Sequence, residues 1–266
     1  MPDLPIRPPL GQRPRVLEMQ GVSKVFNGTV TALSGMSLAV NEGDFISLLG
    51  PSGCGKSTAL RLIAGLIQPT RGRILWQGGQ ARGDLGVVFQ EPTLMPWATV
   101  EKNVFLPFQL RGESFSSVRD RTHEALALVG LESFHSAYPR ELSGGMKMRV
   151  SIARALVTRP RLVLMDEPFA ALDEITRQKL NDDLLALQAR IGCTVIFVTH
   201  SVFESVFLSD RIIVMAPRPG RVVEEVEVRA TYPRDMEFRT SAAYAEQTHV
   251  VSEALARAMR GQEAPA

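Results

Sequence analysis

From Val16 the chain reads as short apolar segments divided by turn formers. VLEMQGVSKVF (16–26), MSLAV (36–40) and FISLLG (45–50) are separated by Asn27-Gly28 and by Asn41-Glu42-Gly43, the pattern of short strands bounded by turns. The third segment runs directly into GPSGCGKST (50–58) and then TALRLIAGL (58–66), whose apolar positions recur at helical spacing. This predicts a strand, a loop and a helix in immediate succession. RILWQG (73–78) and LGVVFQ (85–90) add two short strands.

Between about 99 and 158 the period changes. VEKNVFLPFQL, SVRDRTHEALALVG and SGGMKMRVSIARALV all carry helical spacing, with no convincing strand between them, which predicts a helical subdomain over about 91–160. Strands return at LVLMD (162–166), TVIFVT (194–199) and RIIVMA (211–216), separated by the helix-like ITRQKLNDDLLALQARIG and VFESVFLS. Apolar strands alternating with helices predict an α/β fold with a parallel sheet covered on both faces. PRPGRVVEEVEV reads as a turn and short strand, and an amphipathic helix is expected over roughly 243–260. The organisation is thus a tail at 1–15, expected to be disordered, a main domain at 16–230 and a C-terminal extension at 231–266.

Composition adds a few limits. With 45% apolar and 22% charged residues the chain suits a soluble globular protein, and a formal charge of +2 demands neither a nucleic-acid nor an anionic-membrane partner. Only two cysteines occur, Cys54 inside the glycine-rich loop and Cys193, so a reducing compartment is expected. The N-terminal stretch lacks the apolar core of a signal peptide. No apolar run approaches the ~20 residues that cross a bilayer. The expected location is cytoplasmic, unless another protein holds the chain at a membrane.

GPSGCGKS fits G-x-x-x-x-G-K-[ST] in the required strand-to-helix context. Gly50, Pro51, Ser52, Gly53, Cys54 and Gly55 would form the loop that wraps the phosphates, with backbone N–H groups from the residues other than Pro51, aided by the helix N-terminus. Lys56 would meet the β and γ phosphates, Ser57 would ligate Mg²⁺, and Thr58 would add an α-phosphate contact. The Cys54 side chain is expected to face away from the chemistry. In LVLMDEP (162–168) two carboxylates end an apolar strand, at the edge where parallel sheets bind ligands. Beside a phosphate loop, Asp166 would hold the magnesium ion and Glu167 would polarise an attacking water. His200 ends TVIFVT in the same way, and would hydrogen-bond the γ-phosphate. Ser201 and Glu204 match the S-x-x-E capping box that would start the next helix and fix His200 before it. His123, His135 and His249 receive no role.

A phosphate loop alone leaves kinases, GTPases and helicases open. The ordered set GPSGCGKST (50–58), Gln90, LSGGM (142–146), LVLMDEP (162–168), AALD (170–173) and His200 resembles the ATP-binding subunits of ABC transporters, over about residues 16–220. The resemblance implies the ABC ATPase fold: a phosphate-loop NTPase core with a parallel sheet, an antiparallel β subdomain and an inserted helical subdomain. It implies ATP and Mg²⁺ as cofactors and a head-to-tail pair with a second copy or a homologous subunit. In that pair Ser143, Gly144 and Gly145 of one subunit face the γ-phosphate held at Lys56 of the other. Read alone, Ser-Gly-Gly before a helix is an ordinary cap and turn. Phe26 matches the aromatic that stacks on adenine, although a strand aromatic is more often core. Gln90 would sense the γ-phosphate and the metal, so that Ser57, Gln90 and Asp166 form the metal set. Asp173 would lie at the dimer interface, and Glu167, His200 and Lys56 would carry catalysis.

QEPTLMPWATVEKNVFLPFQLRG (90–112) and LSDRIIVMAPRPGRV (208–222) narrow the resemblance to importer subunits for nitrate, sulfonates, taurine and related small compounds. This implies a multi-span permease partner, an extracytoplasmic solute-binding protein acting indirectly, no nucleic acid, and a peripheral place on the cytoplasmic face of the membrane. Trp97, in LMPWATV, either meets the permease or packs internally. Met146 stands where the broad family has Gln, and Ser201 and Phe203 stand where acids are usual. The alternative function is a non-transport ABC-type ATPase acting on a nucleic-acid or protein complex. Such proteins usually carry paired cassettes or long coiled-coil insertions, and this chain has one cassette and no long heptad run.

Overall fold

The computed structural model describes residues 13–78, 85–230, 232 and 234–260. The tail expected at 1–15 lies outside the described residues as far as residue 12; within them, Arg13 pairs with the Asp44 carboxylate at 3.3 Å and Arg15 opens the first strand. The described residues divide into two compact units. One holds those up to Gly78 and from Thr194 onward, and the other holds those of Ala81–Cys193.

The first unit begins with β1 (Arg15–Phe26) and β2 (Val30–Asn41), followed by β3 (Phe45–Leu49), α1 (Lys56–Ile63) and β4 (Arg71–Trp76). β1 pairs antiparallel with β2 on one side and β4 on the other. Asn27 and Gly28, both with positive φ (50° and 71°), form the turn that sets Val30 opposite Phe26. Hairpin register therefore extends β2 over twelve residues, well upstream of the apolar MSLAV that alone reads as strand.

In the second unit β5 (Leu85–Val88) is followed by α2 (Val100–Gln109), α3 (Phe115–Leu128), α4 (Gly144–Leu156), β6 (Leu162–Asp166) and α5 (Glu174–Ile191). Single 3-10 turns occupy Glu132–Phe134 and Pro139–Glu141. Thr99, Ser114, Ser143 and Asp173 cap α2, α3, α4 and α5, each accepting a backbone N–H three residues on. β5 and β6 pair in parallel. No strand lies between Val88 and Leu162 among the described residues. Arg154 on α4 donates to Pro92 O (2.8 Å) and Thr93 O (2.9 Å), fastening the segment after Gln90 to that helix.

The chain returns to the first unit with β7 (Thr194–Thr199), α6 (Val202–Leu208), β8 (Arg211–Ala216), β9 (Arg221–Glu227), α7 (Met236–Arg239) and α8 (Ala242–Arg260). β3 lies between β7 and β8, parallel to both, and β9 closes antiparallel on β8. Every residue of β3 and β7 is buried, as strands covered on both faces require. The short α7 was not evident in the sequence; its four residues carry too little periodicity to register. Among the described residues no helix is long and apolar enough to cross a membrane.

Candidate functional site

In the first unit, β3 delivers the chain at Gly50 into a loop that closes on the start of α1. Added side-chain carbons at Gly50 and Gly55 would stand 2.6 Å from Met215 O and 2.7 Å from Ala32 O, so β8 and β2 pin the loop where only glycine fits. Gly55, with φ 91°, precedes α1, whose first turn carries no side-chain cap and no acidic residue. The positive end of this helix is thereby left for an anion from outside the chain's own caps. Lys56 is buried, and its ammonium donates to Gly50 O (2.7 Å) and Pro51 O (3.0 Å). Ser57 and Thr58 follow in the first turn, half-buried.

The Cys54 side chain turns inward, 1% exposed, with Sγ 3.9 Å from the Lys56 ammonium. Burial pushes the thiol above its ordinary value, while the nearby Lys56 charge pulls more weakly the other way. Phe26 is half-buried at the end of β1, with the Lys24 ammonium 5.2 Å from its ring centroid. Its ring is therefore not part of the sealed core.

His200 is exposed directly after β7. The turn that carries it departs from the predicted capping box. Ser201 Oγ does accept the Glu204 N–H (3.3 Å), but the Glu204 carboxylate takes the Thr199 hydroxyl, and Ser201 N–H donates to Thr199 Oγ1 (3.0 Å). Thr199 wins because its hydroxyl can both donate and accept, bridging the two groups that a box would join directly. Neither Thr199 nor the contacts from Ala32 and Met215 stood out in the sequence. All three depend on partners distant along the chain or on a side chain inside a strand.

The second unit holds the remaining predicted residues. Gln90 is exposed two residues beyond β5. Asp166 ends β6, half-buried, and Glu167 follows with φ 46°. That left-handed backbone is uncommon for a residue with a side chain and costs of order 1–3 kcal/mol; such outliers concentrate at working sites. Ser143 is exposed and its Oγ accepts Met146 N–H (3.3 Å), while Gly144 and Gly145 form the first turn of α4. A side-chain carbon at Gly145 would sit 3.0 Å from Thr176 Cγ2, so the starts of α4 and α5 lie against each other. Asp173 caps α5 by accepting Thr176 N–H (3.0 Å), and that hydrogen bond lowers its pKa.

These features fit ATP and Mg²⁺. The glycine cradle and uncapped helix suit a polyphosphate. Mg²⁺ is usually held by one or two carboxylates together with substrate phosphates, and the Ser57 hydroxyl of the first unit and the Asp166 carboxylate of the second are each a group of a kind that it takes.

The ABC transporter family profile matches residues 33–170. The chain is 42% identical to a nitrate import ATP-binding protein of Synechocystis, over 86% of this chain and 87% of that one. It is 45% identical to an aliphatic sulfonates import ATP-binding protein of Pseudomonas syringae, over 83% and 89% respectively. Among solved structures, a dimeric ATP-binding cassette in a post-hydrolysis state bound to ADP and Pi is similar with a TM-score of 0.68 and 34% identity, covering 81% of this chain and all of that one. The phosphate loop on its uncapped helix, the capped Ser-Gly-Gly turn and the strained glutamate thus lie in a chain that belongs to the ABC transporter family, as one of its ATP-hydrolysing subunits.

Proposed function

We propose that this ATPase energises an importer for a small anion of the nitrate, sulfonate or taurine kind, through ATP-driven closure of a head-to-tail dimer. The observation that carries the dimer reading is the start of α4. Ser143 and Gly144 are exposed at a helix N-terminus with no acidic residue in its first turn, a second anion-seeking surface in a chain that already has one at α1. The import reading and the solute class rest on the names of relatives at 42% and 45% identity.

In the proposed reaction Lys56 and the loop amides bind the β and γ phosphates of ATP, and the Phe26 ring stacks on adenine. Ser57, Gln90 and Asp166 would hold Mg²⁺, which when bound would supply charge neutralisation. Glu167 accepts a proton from the water that attacks the γ-phosphate in line, while His200 donates a hydrogen bond to the transferring group. Ser143 and Gly145 of the second copy complete the donors around that phosphate, so binding closes the dimer and phosphate release reopens it. Asp173 would lie at the proposed interface, beside Ser143, Gly144 and Gly145.

The membrane partner is proposed to dock on α2 and its approach. Trp97 is 76% exposed and Leu110 79%, and with Met95, Phe105, Leu106 and Phe115 they line one groove. The exposure of Trp97 supports the contact reading over internal packing. The test is to reconstitute the ATPase with its co-purifying permease and add solute-binding proteins loaded from a panel of anions. Stimulation of ATP hydrolysis by a nitrate-, sulfonate- or taurine-loaded protein supports the proposal. Stimulation only by a chemically unrelated solute, or no stable membrane partner, refutes it.

A further inference from the structure

The segment after Ala230 takes no part in the chemistry above, yet it contributes a buried guanidinium to the first unit. Arg234 is 5% exposed. Its Nη1 donates to the carbonyls of Val206 (3.1 Å), Phe207 (3.0 Å) and Ser209 (2.8 Å), and its Nη2 to Ala230 O (3.2 Å). The guanidinium carbon lies 4.4 Å from the Tyr232 ring centroid and 5.7 Å from that of Phe238. Three of these carbonyls belong to the last turn of α6 or follow it directly. A helix cannot satisfy its own final carbonyls, and a cation is favoured at that end.

The other end of α6 is gripped by the same segment. Tyr244, at the start of α8, donates its hydroxyl to Phe203 O at 3.0 Å. At the last turn again, the Arg239 guanidinium sits 3.4 Å from the Phe207 ring centroid, and Tyr244 packs edge-on against Phe238. α6 has only seven residues, far below the ~12–15 at which an isolated helix becomes even marginal. Its position is therefore set by what holds it. Its cap, Ser201, and its buried carboxylate, Glu204, are the groups bonded to the Thr199 turn, and His200 lies inside that turn.

We infer that Arg234 is a positioning residue for His200: the C-terminal segment fastens α6 at both ends and so fixes the turn from which His200 acts. The role of His200 rests on the function proposed above. The extension is then a working part of the ATPase unit and not an appendage to it.

The test measures steady-state ATP hydrolysis and amide exchange of the full-length chain carrying Arg234→Met, Arg234→Lys or Tyr244→Phe, and Arg234→Met combined with His200→Ala. Arg234→Met should lower kcat by about 10- to 10²-fold, up to the loss that a 1 Å misplacement of a catalytic group brings, with KM for ATP held within about twofold. Arg234→Lys should recover part of the loss by retaining a donor and the charge. Exchange should quicken over 201–209 and stay unchanged over 56–63. In the His200→Ala background Arg234→Met should add no further loss. Wild-type kcat in Arg234→Met, or an equal loss without His200, overturns the inference. Should Arg234→Met fail to fold, Tyr244→Phe removes only one hydroxyl, and its wild-type kcat and exchange would overturn the inference as well. A wild-type chain without ATPase activity would instead sink the proposed function, and the exchange measurement would still decide whether Arg234 holds α6.

Discussion

Cys54 and Lys56 share the small space beneath the phosphate loop, and the arrangement keeps the thiol out of the chemistry. Burial raises the Cys54 pKa above that of an ordinary thiol, so it stays protonated at neutral pH and is a poor nucleophile. Iodoacetamide at neutral pH should label the half-buried Cys193 well before Cys54, as peptide mass spectrometry would show; comparable labelling would contradict the buried placement. Glu167 makes the opposite case, a side chain on strained backbone at the end of an apolar strand. Glu167→Gln removes the proposed base while keeping shape, and should cut kcat by about 10²–10⁴-fold, the usual contribution of general base catalysis. ATP should still bind, and closed dimers should accumulate by size-exclusion chromatography. Hydrolysis near the wild-type rate would reject Glu167 as the base. These candidates stood out in the sequence because the proposed chemistry needs particular groups at particular spacings, as in GPSGCGKS and LVLMDEP. The Thr199 hydroxyl did not, since a threonine ending a β-strand is ordinary until its neighbours are placed.

Elements were legible where a local period decides them. β3, β6, β7 and β8 are apolar blocks, and α2 to α5 carry helical spacing under side-chain caps. The start of β2 was hidden because hairpin pairing, not apolar content, extends that strand. The role of the β8–β9 turn was hidden for a similar reason. Gly220 reads as part of a proline-glycine turn, but a side-chain carbon there would stand 2.3 Å from Cys54 O and 2.5 Å from Ala32 O. That turn is the floor of the phosphate loop. Gly220→Ala must therefore displace backbone, and should destabilise the chain by about 1–3 kcal/mol, as overpacking does. It should also raise KM for ATP, because the displaced backbone belongs to the loop. Thermal melts and ATP titrations would check both; an unchanged melting temperature and KM would show that the turn yields freely.

For the whole molecule the proposed function gives the exposed apolar groove on α2 and the exposed start of α4 to two different partners. Trp97→Ala removes the largest exposed ring of the groove. Loss of such an anchor should cost about 2 kcal/mol of permease binding, roughly thirtyfold in Kd, measured by co-sedimentation with permease in vesicles. Undiminished binding would remove α2 as the docking face. The proposed assembly is suggested in the sequence only by the order of the motifs, because a surface offered to another chain leaves no trace in periodicity. The exposed Ser143 turn has a genetic consequence. If each copy lends that turn to its neighbour, a Lys56→Ala allele and a Ser143→Arg allele fail for different reasons on opposite sides of the dimer. Each alone should be null. In a mixed dimer one composite site draws its phosphate loop from one chain and its signature from the other, with both intact. Two dead alleles expressed together should then restore measurable hydrolysis, and a cell carrying both should do what neither parent can.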